Sequence, residues 1–297
     1  MNLQSTYEKI VQSAEKQNPK VAGDFIKDGL LHCGKCLTPK QAMIRQPRIK
    51  GIEQGYKPMP IVCECRRKQI EEERKEREAY ERRVYRMKAL GRAGAMHTFA
   101  ADDRAEEYAT RVCYGYSLEF KAVESGIKPP IPSDGLLLCG NTGTGKTFLC
   151  HAVLNAVADK GYSIMAVTVG QFERKVWSGD KGEIFKAIER TDLLLLDDLG
   201  AERSSPYVQQ LVFDLVDTRI SARKPLLITT NMTKEQIFRP EDTDNKRIIS
   251  RVLGSVSVVT MTGRDRRVQD FSAQAKERAD KYARNGEQAE KTDGVPF

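Results

Sequence analysis

The chain has 297 residues, 40% of them hydrophobic and 30% charged, with a formal net charge of +8. That length and apolar share suffice for a sizeable core and two domains, and they exclude wholesale disorder. No apolar run approaches the ~20 residues that cross a bilayer, so no membrane role is expected, and the positive balance suits a partner that carries phosphates.

Residues 1–30 contain a short amphipathic helix, with Tyr7, Ile10, Val11 and Ala14 at helical spacing. The opening stretch MNLQSTYEKIVQSAEK has no apolar signal core, so a cytoplasmic protein is expected. Residues 31–65 are rich in Gly, Pro and Cys, with strand-like pieces such as QAMIRQ. Here Cys33 and Cys36 form a C-x₂-C pair, followed after 26 residues by Cys63 and Cys65 as C-x-C. Four thiolates at such spacing can surround Zn²⁺ tetrahedrally, and a segment with few large apolar residues needs such a staple to fold. C-x-C is tighter than the usual second pair, so His32 stands as a possible substitute ligand. Iron–sulfur or redox use, or unligated cysteines, remain the alternatives. Cys113, Cys139 and Cys150 are isolated in apolar or helical surroundings and read as small buried residues.

Residues 66–92 contain 17 charged residues in 27, without proline and without glycine before Gly91. Pairs such as Glu71–Lys75 and Glu78–Arg82 support a solvated helix with a thin stripe of Ile70, Tyr80, Val84 and Met87. It reads as a connector; a plain solvated helix and a docking surface are both open. From about residue 98, apolar runs of 4–8 residues alternate with helical periods. That pattern predicts an α/β domain with a mostly parallel sheet covered on both faces. The last ~25 residues end in a polar tail.

Residues 140–147, GNTGTGKT, follow the apolar run LLLC and precede an amphipathic helix. The pattern G-x-x-x-x-G-K-T in a strand–loop–helix context is a phosphate-binding loop. Gly140, Asn141, Thr142, Gly143, Thr144 and Gly145 are expected to wrap a phosphate chain with their backbone N–H groups, aided by the helix N-terminus. Lys146, expected in a solvent-facing loop, would reach the β- and γ-phosphates, and Thr147 would bind Mg²⁺. LLLLDD (193–198) then supplies a buried strand ending in two carboxylates. Asp197 would hold Mg²⁺ and Asp198 would orient the attacking water of an ATPase. PLLITTN (225–231) is a third buried strand, whose Asn231 would reach the γ-phosphate or the water; as a lone residue it would more often cap a turn.

In order and spacing, GNTGTGKTFLCHAVLNAV, TDLLLLDDLGAER, LVFDLVDTRISARKPLLITTN and KRIISRV resemble the AAA+ ATPase module of bacterial and phage replicative helicase loaders of the DnaC/DnaI type. Transposition helper ATPases of the IstB type share this module. The resemblance covers about residues 97–268. It implies an oligomeric ATPase with nucleotide between protomers, an arginine reaching across from the neighbour at Arg251 (runner-up Arg247), and a cis sensor arginine at Arg267, or else Arg266 or Arg264. It further implies that a zinc-containing N-terminal part grips the helicase.

Trp177, the only tryptophan, lies in RKVWSGDKG, flanked by Arg174, Lys175 and Lys181. Core packing is one reading. The basic flanks, which look like loop chemistry, favour an aromatic platform for single-stranded DNA beside Lys175. In the resembling loaders such contacts come from this segment and from a Ser-x-Tyr after the acidic pair, which here is Ser205 and Tyr207.

The expected organisation is thus a helicase-binding N-terminal domain with a four-cysteine zinc site (1–65), a charged connector helix (66–96), an AAA+ domain (97–268) and a C-terminal helix with polar tail (269–297). The expected function is an ATP-dependent loader that binds a hexameric replicative helicase and deposits it on single-stranded DNA. The alternatives are a transposition helper that activates a transposase, and a zinc-anchored scaffold that hardly hydrolyses nucleotide. ATP, Mg²⁺ and Zn²⁺ are the expected cofactors.

Overall fold

The computed structural model describes the chain except for residues 1–18, 47–52, 54, 105, 125, 201–204, 240–242, 264, 266–274 and 286–297, and except for the side chains of 243–245. The short helix expected within 1–30, marked by Tyr7 to Ala14, therefore lies outside the described residues. The chain divides into two compact units, Met1–Glu81 and Arg82–Phe297. The division falls inside one helix, α1 (Glu64–Gly94), whose helical geometry is interrupted at Gly91, with φ 73.

The first unit is built of two small antiparallel pairs. β1 (Phe25–Lys27) pairs with β2 (Leu30–His32), and β3 (Gln41–Arg45) with β4 (Tyr56–Pro60). Among its described residues only Cys33, Lys40, Met59 and Cys63 are buried. Lys40 is held by the Asp24 carboxylate at 2.6 Å and by the Pro19 carbonyl. Charge pairing rather than apolar packing also organises the exposed face of α1, where Arg74 bridges Glu71 and Glu78.

The second unit carries a five-stranded, wholly parallel sheet in the order β6-β7-β8-β5-β9. Its strands are β5 (Gly135–Gly140), β6 (Ile164–Thr168), β7 (Leu193–Leu199), β8 (Leu226–Thr230) and β9 (Val256–Met261). Around them run α2 (Tyr108–Glu119), α3 (Lys146–Asp159), α4 (Val169–Ser178), α5 (Lys181–Arg190), α6 (Pro206–Ser221), α7 (Lys234–Phe238) and α8 (Thr243–Leu253). A further helix occupies 275–285. This is the α/β layout, a parallel sheet covered by helices, expected from the sequence.

The unbroken leucine runs make sense because both sheet faces are covered. Successive side chains on a strand point to opposite faces. Leu193 and Leu195 of β7 enter one core with Leu136, Leu138, Leu149 and Phe120, while Leu194 and Leu196 enter the other with Phe172, Leu211 and Ile228. Cys113, Cys139 and Cys150 are all buried in these cores.

Local signals set the helix starts. Thr168 and Gln171 form a capping box on α4, Asp180 caps α5, and Thr233 with Gln236 caps α7. At the strand entrances a fully buried Arg219 donates to the carbonyls of Ile188, Thr191, Asp192 and Pro225. Those bonds tie α5, α6 and the starts of β7 and β8 to one guanidinium. The edge strand β6 is met by Tyr85 of α1. Its hydroxyl donates to the Ile164 carbonyl at 3.2 Å and accepts the Ile164 N–H at 2.7 Å.

Candidate functional site

The sheet delivers its chemistry at the C-terminal ends of β5, β7 and β8, where open parallel sheets bind ligands. β5 leads into the loop 140–145, and the loop leads into α3 with Gly145 as its N-cap at φ 96. A Cβ on Gly140, φ 130, would run into the Met261 carbonyl of β9, so the loop's first residue has to be glycine. The loop is braced from within by Thr144, whose hydroxyl donates to the Asn141 carbonyl at 3.0 Å.

Lys146 corrects one expectation. Its side chain is not in a solvent-facing loop: it opens α3, is only 5% exposed, and donates to the carbonyls of Gly140 (2.8 Å) and Asn141 (2.7 Å). The ammonium thus curls back onto the loop's own carbonyls, and Lys146 lines the cleft beside it.

Thr147 and Asp197 meet. The Thr147 hydroxyl donates to Asp197 Oδ1 at 2.9 Å, and the same oxygen accepts from the Thr229 hydroxyl at 2.6 Å. Thr229 Oγ1 in turn accepts the Asp198 N–H at 2.9 Å. Asp198 has φ 61, a conformation a non-glycine residue adopts at a cost of roughly 1–3 kcal/mol. The β7–β8 register slips at the same point, between Leu196 and Leu199. That irregularity re-aims the second carboxylate, because neighbouring side chains of a regular strand would point to opposite faces. Asp198 therefore lines the same cleft as Lys146, Thr147 and Asn231. The cleft encloses about 600 Å³. Its residue types suit a polyphosphate with a hard cation: backbone donors, one ammonium, one hydroxyl and the Asp198 carboxylate, with Asp197 hydrogen-bonded behind that hydroxyl.

Several residues in or behind the cleft carry no local sequence signal. Thr229 stands in the ITTN string, where only the final asparagine stands out. Asp102, Arg104, His97 and Phe148 line the cleft from the segment before α2 and from α3. His97 Nδ1 lies 3.1 Å from His151 Nδ1, and the His97 ring also packs on Phe148. Burial, and then the neighbouring His97, push His151 down to about 4; burial lowers His97 as well. The side-chain amide of Asn155 holds this segment by donating to the carbonyls of Gly94 and His97.

Arg251 is not among the residues lining the cleft. It sits on α8, half-exposed, and forms a 2.6 Å ion pair with Asp217 of α6. Arg247 lies 4.8 Å above the Phe213 ring, and both arginines border an open groove of about 570 Å³. Arg264, Arg266 and Arg267 lie outside the described residues.

Trp177 is 80% exposed, which disposes of the core alternative. It stands in the last turn of α4, not in a loop, so the basic flanks are helical neighbours. Its ring meets Tyr207 edge-on, with centroids 6.4 Å apart. Ser205 is the N-cap of α6, with its hydroxyl accepting the Val208 N–H at 3.4 Å. Lys175 lines a separate cleft of about 530 Å³ with Lys88, Arg174 and Ser178.

In the first unit, the ligand atoms of Cys33, Cys36, Cys63 and Cys65 all lie within 4.8 Å of one another. Cys65 Sγ is 3.6 Å from both Cys33 Sγ and Cys63 Sγ. Four sulfurs at ~2.3 Å from one tetrahedral Zn²⁺ would be about 3.8 Å apart, so the set fits zinc. His32 turns elsewhere: its Nδ1 lies 3.0 Å from the Leu30 carbonyl, and its ring stacks on Phe25. The Thr38 hydroxyl draws the Cys36 thiol down to about 5. Hydrogen bonds shared with Cys36 and Cys63 push Cys65 up to about 12.

Residues 132–274 match the family model of the IstB-like ATP binding proteins. This part of the chain is similar to that family. The replicative helicase loader DnaI of Bacillus subtilis is 27% identical over 147 residues, 45% of this chain and 47% of that protein. The replicative helicase loader DnaC of Escherichia coli K12 is 28% identical over 109 residues, 35% of this chain and 44% of that one. The chain thus spans under half the length of these curated relatives. A crystal structure of DnaI aligns over 57% of this chain and 89% of its own, at a TM-score of 0.45 and 23% identity. The relatives are of the DnaC/DnaI type to which the motifs pointed. Among the described residues no helix is long and apolar enough to cross a membrane.

Proposed function

We propose that this chain is an ATP-dependent loader that binds a hexameric replicative helicase and helps deposit it on single-stranded DNA. The observation that carries the ATPase reading is the Thr147–Asp197–Thr229 hydrogen-bond chain, which sets two carboxylates against a phosphate-binding loop. The helicase-loader names of its relatives support the rest.

On this reading the loop amides from Asn141 to Gly145 cradle the phosphates. Lys146 exchanges its two carbonyl partners for β- and γ-phosphate oxygens. Thr147 and Asp197 are the residues to hold Mg²⁺, which would neutralise phosphate charge. Asp198 and Asn231 orient the attacking water. Arg251 leaves Asp217 to serve the cleft of a neighbouring copy, and Arg267 is the cis sensor. The four cysteines hold one structural Zn²⁺ in the helicase-binding part, residues 1–65, followed by the connector 66–96, the ATPase domain 97–268 and the tail 269–297. Single-stranded DNA follows Lys175, Trp177, Ser205 and Tyr207. All of this takes place in the cytoplasm.

The deciding experiment is co-purification of the full chain with a hexameric replicative helicase, followed by ATPase assays with and without single-stranded DNA. Complex formation and DNA-stimulated turnover are expected. Absence of both would overturn the reading. An Arg251→Ala chain and a Lys146→Ala chain, each inactive alone, should partly restore activity when mixed; no rescue at any ratio would remove the shared site. A transposition helper is the second reading, favoured by the family model's own match. A complex with a transposase in place of the helicase would establish it.

A further inference from the structure

We infer that Arg104 is a cis positioning residue for the nucleotide, holding the phosphate loop in its binding shape; this rests on the ATPase reading above. Arg104 precedes α2 and lies far from the loop in sequence, yet Arg104 Nη1 donates to the Thr144 carbonyl at 2.6 Å. Its side chain is only 12% exposed, and it lines the cleft with Lys146 and Thr147. The guanidinium lies close against Gly145: a Cβ there would come within 2.7 Å of Arg104 Nη2.

A second layer fixes the guanidinium itself. Asp102, 1% exposed, accepts from Arg104 Nε at 3.1 Å, from the Arg104 N–H at 3.2 Å and from the Thr110 hydroxyl of α2 at 2.8 Å. A buried carboxylate anchored to a helix thus aims one guanidinium at one loop carbonyl. The carbonyl belongs to the residue just before Gly145, whose left-handed backbone turns the chain into α3. Charge-assisted bonds of this kind are the strong ones, and arginine's planar fork can serve Asp102 and Thr144 together.

The consequence is specific to binding. A glycine-rich loop left untethered samples many backbone states, and a ligand that needs one of them loses affinity in proportion. Once nucleotide fills the loop, the phosphates themselves hold the amides. Loss of Arg104 should therefore raise Kd and KM while sparing kcat at saturation.

The test compares full-length Arg104→Ala, Arg104→Lys, Asp102→Asn and Lys146→Ala with the parent chain. Binding is read with a fluorescent ATP analogue, and KM and kcat by steady-state ATPase assay. Arg104→Ala should weaken binding and raise KM about tenfold or more, the scale of one charged hydrogen bond, with kcat within about twofold. Arg104→Lys should recover part of the loss, since an ammonium can reach Thr144 but cannot also fork onto Asp102. Asp102→Asn should fall between. Wild-type affinity in Arg104→Ala, while Lys146→Ala loses binding, would overturn the inference and leave the ATPase reading intact. A fall in kcat at unchanged KM would overturn it too. If the parent chain itself binds no ATP, the ATPase reading has failed first. If Arg104→Ala does not fold, Arg104→Lys and Asp102→Asn carry the test, and wild-type affinity in both overturns the inference.

Discussion

The two units of this chain are stabilised in opposite ways. Residues 82–297 bury leucine after leucine on both faces of a parallel sheet. Among the described residues of 1–81, four residues are buried as a whole, two of them cysteines of the metal-competent cluster. The first unit therefore relies on a few point attachments, the cysteines and the Lys40–Asp24 pair. The second relies on area. Point attachments fail all at once when one member is removed, whereas a large core loses stability in increments.

The sharpest break of this comparison is metal removal. Binding free energies of structural zinc reach ~10–16 kcal/mol, more than the whole stability of a small unit. Cys63→Ser with Cys65→Ser, or a strong chelator, should abolish the expected one zinc per chain and expose 1–81 to limited proteolysis. The melting of 82–297 should be unchanged. No zinc by metal analysis of the parent chain would remove the point-attachment account.

Next in size is the core. Leu195→Ala on β7, a fully buried position, should cost about 2–5 kcal/mol in denaturant unfolding of 82–297, with zinc content unaffected. At the cleft, Lys146→Ala should weaken ATP binding at least ~10-fold, the loss of one charged contact to phosphate. Asp198→Asn should keep binding and lose turnover, measured as phosphate release; normal hydrolysis would exclude Asp198 as the residue that orients water.

A pH profile separates the units further. His151 in the folded chain sits at about 4, against an ordinary 6.5. The unfolded chain therefore binds the proton first, and the stability His151 contributes is whole above 6.5 and lost as pH falls toward 4. Melting of 82–297 should decline over that window, and His151→Gln should flatten the decline. The smallest effect belongs to Arg86–Asp159, a 2.7 Å ion pair at the surface with Asp159 half-exposed. Asp159→Asn should change stability by no more than ~1 kcal/mol.

What can be read in the sequence follows from how local each signal is. The phosphate loop, the acidic pair and the leucine runs are contiguous strings, and their strand–loop–helix context is legible. The cysteine cluster is legible from spacing, though only the fold turns His32 away from it. Thr229 escapes notice because a hydroxyl in a buried strand gains meaning only when the neighbouring strand brings Asp197 to it. Asp102, Arg104 and the His97–His151 contact arise from long-range packing of the segment before α2, and no spacing rule points to them. Trp177 misleads for the opposite reason: basic neighbours suggest a loop, but they belong to the exposed last turns of α4 and the residues just beyond it. Lys146 is expected at the surface because charge usually is, and its burial depends on carbonyls that only a folded loop presents.

Tyr85 has one more consequence. β6 ends the sheet, and a bare terminal strand offers unsatisfied peptide groups on which further strands can polymerise. The phenol oxygen engages both peptide groups of Ile164, as an added strand would. A chain arriving from solvent meets a rung already taken at the start of the strand. One tyrosine on a charged helix thereby occupies the hydrogen-bonding positions of the first residue of that edge.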